Sequence, residues 1–299
     1  MRCIGFALSL IWSVLLRGQS REVPGRDLLN FPLGLAGEAA PLGAQAGTGL
    51  WNPALALIED GARWRVSVAS MNASPDDIGL SAQVGAIAVR WHQTTFGVTI
   101  ARAAVADLLR TDADPQSVGN EIAYSTVLSS GIIARRFSPH FVGGIAVRFR
   151  SGQVDNLRRS AVSADFGVLA ENFTSRDVRL GASTFLLRLN GASGERTSFL
   201  IGGDARILGS DSSRTIRAGY SLMDTPQLSV EHYAVAVVRW DRWELRGGPV
   251  RTEVYGASNV RLRLGVAIRH RGYSVGIARE ESANGLAPTY HFTLTSLAK

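Results

Sequence analysis

Catalytic chemistry has one short motif to rest on in this chain, Gly272-Tyr273-Ser274-Val275-Gly276, a match to the G-x-S-x-G nucleophile elbow. That elbow needs a strand before the serine and a helix after it, so that the hydroxyl stands exposed on a strained turn. Here the match begins at a tight-turn signal and runs into "SVGIARE", an alternating strand pattern. The small residues then read as one face of a strand, and no catalytic residue is assigned. The five histidines, His92, His140, His232, His270 and His291, are far apart. None forms a short metal-ligand spacing of the H-x-x-x-H kind, and His92, His140 and His270 fall at expected tight turns. No Gly-rich piece opens a helix as a phosphate loop would. No metal and no cofactor are therefore expected. A Ser-His-acid set assembled across strands remains the less favoured alternative, a barrel hydrolase.

The elements that would position any site are strands. From Arg63 onward the dominant signal is a period of two. In "NVRLRLGVAIRH", Val260, Leu262, Leu264, Val266 and Ile268 share one face, and Arg261, Arg263, Gly265, Ala267 and Arg269 the other. In "FVGGIAVRFR", Phe141, Gly143, Ile145, Val147 and Phe149 oppose Gly144, Ala146, Arg148 and Arg150. This patterning predicts about fourteen strands, over 62–71, 79–91, 95–104, 121–137, 140–150, 158–170, 177–189, 196–207, 214–223, 228–240, 242–255, 259–269, 272–280 and 289–297. Connections after the first, third, fifth, seventh, ninth and thirteenth strands read as longer. Those after the second, fourth, tenth and twelfth read as very short, while "ENFTSRD" and "GSDSSR" are not especially short. Such a rhythm suits a membrane barrel, with short turns at one end and longer loops at the other. Trp64, Trp91, Trp240, Trp243, Tyr255, Tyr273 and Tyr290 fall near strand ends, where an interfacial belt would sit. Alternation is equally compatible with a soluble sandwich. Loop rhythm and the leader favour the barrel.

That leader is "MRCIGFALSLIWSVLLRG": a charged residue, an apolar run too short for a comfortable membrane span, and a closing arginine. It reads as a signal peptide over 1–20, with a retained anchor as the alternative. Cys3 is the chain's one cysteine and precedes the apolar run, so a cleaved chain would carry no thiol or disulfide. No later segment has the apolar length of a transmembrane helix. Net charge is +7, and Lys299 is the one lysine among 32 basic residues. The arginines are scattered through the strands rather than clustered, which argues against nucleic acid as partner.

Between leader and strands lies the segment 21–61, rich in Gly, Ala, Leu and Pro and without alternation. It is too apolar for a solvated linker. A barrel of about fourteen strands is too wide for its own side chains to fill. A compact segment tucked inside would plug it, since irregular backbone at membrane depth is tolerated when buried in protein. Within the segment, Pro53 biases Asn52 away from helix and is suited to a first helical position. The Asn52 side chain can then close a turn on nearby backbone.

"GLWNPALAL" resembles the "NPAGLA"-type motif of long-chain fatty acid transporter-like (FadL-like) barrels and is most similar to their PorV/PorQ relatives. "FPLGLAGEAAPLGA", Phe31 to Ala44, is similar to the small-residue run before that motif. The resemblance implies an all-β, transmembrane antiparallel barrel of about fourteen strands over 62–299, with an N-terminal plug over 21–61. It carries the motif onto Asn52, Pro53 and Ala54, beside Trp51, as plug or binding residues; the family's next Gly is Leu55 here. It implies a non-enzymatic protein of the Gram-negative cell outer membrane, in contact with its lipid. The role would be either a conduit for small hydrophobic compounds or a docking component for secreted or secretion-system proteins. A structural barrel without transport is the alternative.

Overall fold

The computed structural model describes residues 22–29, 38–43, 49–58, 61–73, 79–106, 108–111, 118–172, 177–188, 197–211, 214–224, 230–254, 257–281 and 288–298. Two 3-10 helices, Asp27–Leu29 and Pro53–Ala56, precede the strands. These are β1 (Trp64–Ala73), β2 (Leu80–Trp91), β3 (Thr94–Val105), β4 (Leu109–Thr111), β5 (Val118–Glu121), β6 (Tyr124–Ser138), β7 (Phe141–Val154), β8 (Leu157–Glu171) and β9 (Arg179–Phe185). β10 (Leu187–Arg188), β11 (Ser198–Asp211), β12 (Arg214–Asp224), β13 (Glu231–Trp240), β14 (Trp243–Val254), β15 (Ala257–His270), β16 (Tyr273–Glu280) and β17 (Thr289–Ala298) follow. β4 and β5 form a separate hairpin between β3 and β6. β10 continues β9 beyond one interrupted residue. The remaining strands make a closed 14-stranded antiparallel barrel.

Closure is carried by two pairings. β1 meets β17 in unbroken register from Trp64–Ala298 to Ala73–Thr289. β8 meets β9 from Gly167–Ser183 to Glu171–Arg179. A closed sheet leaves no edge, which is what a strand protein needs in lipid. Most barrel strands alternate buried and more exposed residues, and the exposed set is largely apolar. Val66, Val68, Ile87, Val98, Ile100, Ile145, Val147, Phe166, Ile201, Leu264 and Ile277 all face outward. A water-soluble surface rarely carries apolar patches beyond a few hundred Å², so this exterior suits hydrocarbon and the sandwich alternative falls.

All fourteen expected barrel strands are present, and their ends share a pattern. The pairs Trp91–Thr94 and Trp240–Trp243 close two-residue turns, and Trp64 and Tyr273 open strands at the same end as Ala298. These exposed rings form one aromatic girdle. Tyr290 stands at the opposite end, and Tyr255 lies outside the described residues.

The structure corrects three details. The connection after the fifth barrel strand is not long: β7 ends at Val154, β8 begins at Leu157, and Asp155 turns the chain with φ 51°. "GSDSSR" spans a connection as short as those between β2 and β3 and between β13 and β14, since β11 runs to Asp211 and β12 starts at Arg214. The strand expected over 177–189 breaks at Leu186, whose φ is +58°. A period of two cannot show that break, because the bulge adds a residue without changing residue types.

Candidate functional site

The described pieces of segment 21–61 lie against the inner face of the barrel. Irregular backbone in that position has no ladder to satisfy its carbonyls, and a buried unpaired carbonyl is costly. Inward-facing arginines satisfy them. Arg148 on β7 donates from Nη2 to the Leu50 carbonyl at 2.6 Å. Two residues on, Arg150 donates to the carbonyls of Pro24 and Val23, each at 2.7 Å. Arg65 on β1 donates to Leu55 O at 3.2 Å and also to Leu57 O. The planar guanidinium fork spans two acceptors at once, which a lysine ammonium does less well. This gives a physical reason for a basic complement that is almost entirely arginine.

Arg148 is itself held. Its Nε pairs with Asp165 on β8, and its Nη1 donates to Ser130 Oγ on β6 at 3.0 Å. Asp165 also accepts from Leu187 N at 3.1 Å, just past the Leu186 interruption. Phe185 ends the inward row of β9, and the bulge turns Leu186 inward directly after it, so that both are buried. The Phe185 ring packs 4.6 Å from that of Trp51, and the guanidinium groups of Arg26 and Arg148 each lie 5.0 Å from it.

Trp51, Asn52, Pro53 and Ala54 are all buried here. Pro53 opens the 3-10 helix, with Asn52 as its N-cap at φ −134° and ψ 108°. Asn52 Oδ1 accepts from Ala54 N at 3.0 Å. Its Nδ2 donates to Pro41 O at 3.0 Å and to Val168 O of the barrel wall at 3.1 Å. One side chain thus ties the helix cap, the neighbouring stretch 38–43 and strand β8. Trp51 O accepts from Ser183 Oγ at 2.8 Å, while its indole Nε1 is buried with no partner among the described residues.

Two inward glycines allow this close approach. A Cβ on Gly144 would come within 2.6 Å of the Pro53 carbonyl oxygen. One on Gly167 would lie 2.8 Å from Pro53 Cδ and overlap the Asn52 amide oxygen. The backbone of the 3-10 helix therefore rests directly on β7 and β8.

Higher in the barrel, Leu28, Leu29, Leu50 and Trp51 pack with Met71, Val84, Leu128, Phe185, Leu200 and Met223 of the wall. Elsewhere the inner wall also carries ion pairs. Asp204 pairs with Arg179 and Arg217 at 2.5 and 2.6 Å. Glu244 pairs with Arg239 and Arg269 at 2.8 Å, and Glu38 of the N-terminal segment reaches Arg246 at 3.0 Å. Glu231 and Glu280 share Arg261 and Arg263. Ser274 lies inside β16, opposite Arg269 and Thr295, so G-x-S-x-G occupies a hairpin rather than a strand-to-helix turn. His92 and His140 lie at turns, and His270 ends β15. His232 faces outward beside the Tyr220 hydroxyl at 2.5 Å, and His291 faces inward.

Sequence reasoning singled out the Asn-Pro-Ala element but not its partners Arg148, Arg150, Gly144 and Gly167. The first three share one face of "FVGGIAVRFR", so the signal was present as two small and two basic positions on the inward side. Phe185 lies on the inward row of β9 with Gly181 and Ser183, so its signal was one aromatic on a row of small residues; the inward turn of Leu186 had none, because it depends on the bulge.

Fold and interior together define a closed 14-stranded barrel with an apolar exterior and an N-terminal segment seated on its inner wall. Solved structures share that fold. The monoaromatic hydrocarbon channel CymD aligns with a TM-score of 0.60 and 10% identity, over 92% of this chain and 97% of its own. The toluene transporter TbuX of Ralstonia pickettii aligns at 0.57 and 12%, over 89% and 99%. A FadL homologue of Pseudomonas aeruginosa aligns at 0.51 and 11%, over 89% and 98%. Identities this low speak to fold. Neither a protein-family model nor a curated protein sequence matches the chain.

Proposed function

We propose that this protein is a FadL-like barrel of the outer membrane that passes small hydrophobic compounds, with residues 21–61 as its plug and residues 1–20 as its export signal. The observation that carries the reading is the apolar interior: Trp51, Leu28 and Leu50 pack against Met71, Val84, Leu128 and Phe185 inside the barrel. A porin lumen serves water and ions and is polar. These side chains are buried against one another, so an apolar solute would enter this layer as the N-terminal segment shifts, gaining about 25 cal/mol per Å² removed from water. Trp51, Asn52, Pro53 and Ala54 fix the plug beside that layer. Of the two roles the family resemblance implies, passage of small compounds is the one an apolar interior supports.

Passage into lipid also needs a yielding place in the wall. The register between β13 and β14 runs through Tyr233–Val250 and resumes at Ala236–Gly247, skipping Ala234–Val235 against Gly248–Pro249. Pro249 has no N–H, and proline is otherwise confined to edge strands or bulges. Behind the skip lie Tyr233, Val235, Val250 and Ala39, an apolar cluster inside the barrel.

The test is uptake of a labelled monoaromatic hydrocarbon by vesicles carrying the full-length protein. Saturable uptake above protein-free vesicles is expected; uptake equal to that background refutes the transport reading. Recovery of the protein in the soluble fraction of its native cells would refute the membrane reading.

A further inference from the structure

The outer face of the β1–β3 wall carries polar residues where apolar ones would face lipid. Ser70, Gln83 and Arg102 stand side by side in register, Ser70 opposite Gln83 and Gln83 opposite Arg102. Their flanking residues Ala69, Met71, Ala82, Val84, Ala101 and Ala103 are buried, so all three side chains point outward. In the next outward row Val68, Gly85 and Ile100 are aligned. Nothing lies within 4 Å of where a Gly85 Cβ would be. The two rows border a depression of about 520 Å³. Arg102 is exposed and makes no hydrogen bond or ion pair with the described residues.

Its height is informative. At 3.3 Å per residue and a tilt near 40°, the register carries the Gln83–Arg102 pair about 20 Å above the Trp91–Thr94 pair at the aromatic girdle. A barrel's apolar band is about 25 Å tall. Arg102 therefore stands near the opposite headgroup level, where the penalty for a cation on the lipid face falls away.

We propose that this depression binds a phosphate-bearing anionic lipid of the surrounding leaflet. The Arg102 guanidinium takes phosphate oxygens through its planar fork, with Gln83 and Ser70 as neutral donors. An acyl chain lies over Gly85 between Val68 and Ile100. Charge decides the occupant: one free cation and two neutral polar groups sit beside an apolar trough, which matches a single anionic head on a hydrocarbon tail. The site rests on the membrane-barrel reading and goes beyond it.

The experiment titrates the detergent-purified full-length protein with phosphatidylglycerol or phosphatidylcholine and counts retained lipid by native mass spectrometry. Preferential retention of phosphatidylglycerol is expected. Arg102→Ala should weaken it roughly tenfold, the loss of about one charge-assisted contact. Gly85→Leu, whose Cβ meets no neighbour within 4 Å and whose side chain fills the trough, should weaken it as well. Phosphatidylcholine adducts should not change in either variant. Equal retention of the two lipids, or phosphatidylglycerol retention unchanged in either variant, overturns the proposal. So does displacement of the lipid by excess inorganic phosphate, which would assign the site to a free anion. Recovery of each variant in the outer-membrane fraction reports on the barrel separately, so a failed lipid site and a misplaced protein give different results.

Discussion

The Asn52 amide nitrogen donates at 3.1 Å to the carbonyl of Val168, a strand residue of the barrel wall, while its amide oxygen caps the 3-10 helix at Ala54. A side chain that serves both the local turn and the wall couples the helix cap to the seating of the N-terminal segment. Asn52→Ala removes the cap and leaves buried groups unpaired, at about 1–3 kcal/mol for such a group. Asn52→Asp keeps the capping oxygen but turns a carboxylate toward the carbonyls of Pro41 and Val168. Both should leave the barrel folded, judged by its heat-modifiable migration. Both should open the segment to protease in reconstituted vesicles, Asn52→Asp at least as much as Asn52→Ala.

Gly144 and Gly131 provide a matched pair. A Cβ at Gly144 meets the Pro53 carbonyl oxygen at 2.6 Å, whereas one at Gly131 meets nothing within 4 Å. Overpacking typically costs about 1–3 kcal/mol. Gly144→Val should therefore unseat the segment and raise leakage of a small polar solute from loaded vesicles. Gly131→Val, on the outward face, should leave leakage as it was. Equal leakage in the two would mean that the segment does not seal the barrel.

The barrel was legible in the sequence because lipid and interior impose opposite demands on alternate residues. "NVRLRLGVAIRH" can satisfy both only as a strand whose Val260, Leu262 and Leu264 face out while Arg261 and Arg263 face in. The N-terminal contacts were less so, because they join residues far apart in the chain: Arg150 with Val23, Arg148 with Leu50, Ser183 with Trp51. No local period encodes such pairs. The break at Leu186 was hidden for a different reason. It depends on Asp165 accepting the Leu187 amide from a neighbouring strand, and Leu186 has no side-chain preference for positive φ.

Trp51 separates packing from polarity. Its ring lies 4.6 Å from Phe185, yet its indole Nε1 has no partner among the described residues. A buried donor without an acceptor costs about 1–3 kcal/mol. Trp51→Phe keeps an aromatic contact and removes the donor, so its stability in urea should stay within about 1.5 kcal/mol of the native chain, the usual span for volume-similar apolar swaps. Trp51→Ala should cost about 3–5 kcal/mol, as large-to-small changes in a core do. If Trp51→Phe proves as damaging as Trp51→Ala, the indole N–H has a partner that packing alone does not account for.

The skipped register at Pro249 can be closed chemically. Ala234 and Pro249 fall opposite one another between the paired positions Tyr233–Val250 and Ala236–Gly247, and both belong to the outward rows of their strands. Opposed positions on antiparallel strands bring Cβ atoms to about 4.5–5.5 Å, near the span a disulfide requires. The native chain's one cysteine, Cys3, lies in the leader and is removed if that leader is cleaved, so Ala234→Cys with Pro249→Cys offers a reversible lock. If apolar solute leaves through this part of the wall, the oxidised double variant should fall to the uptake of protein-free vesicles, and reduction should restore it. Either single variant should take up solute under both conditions. Uptake that is the same in the oxidised and reduced double variant would place the exit elsewhere and leave the skip as a purely structural accommodation of Pro249.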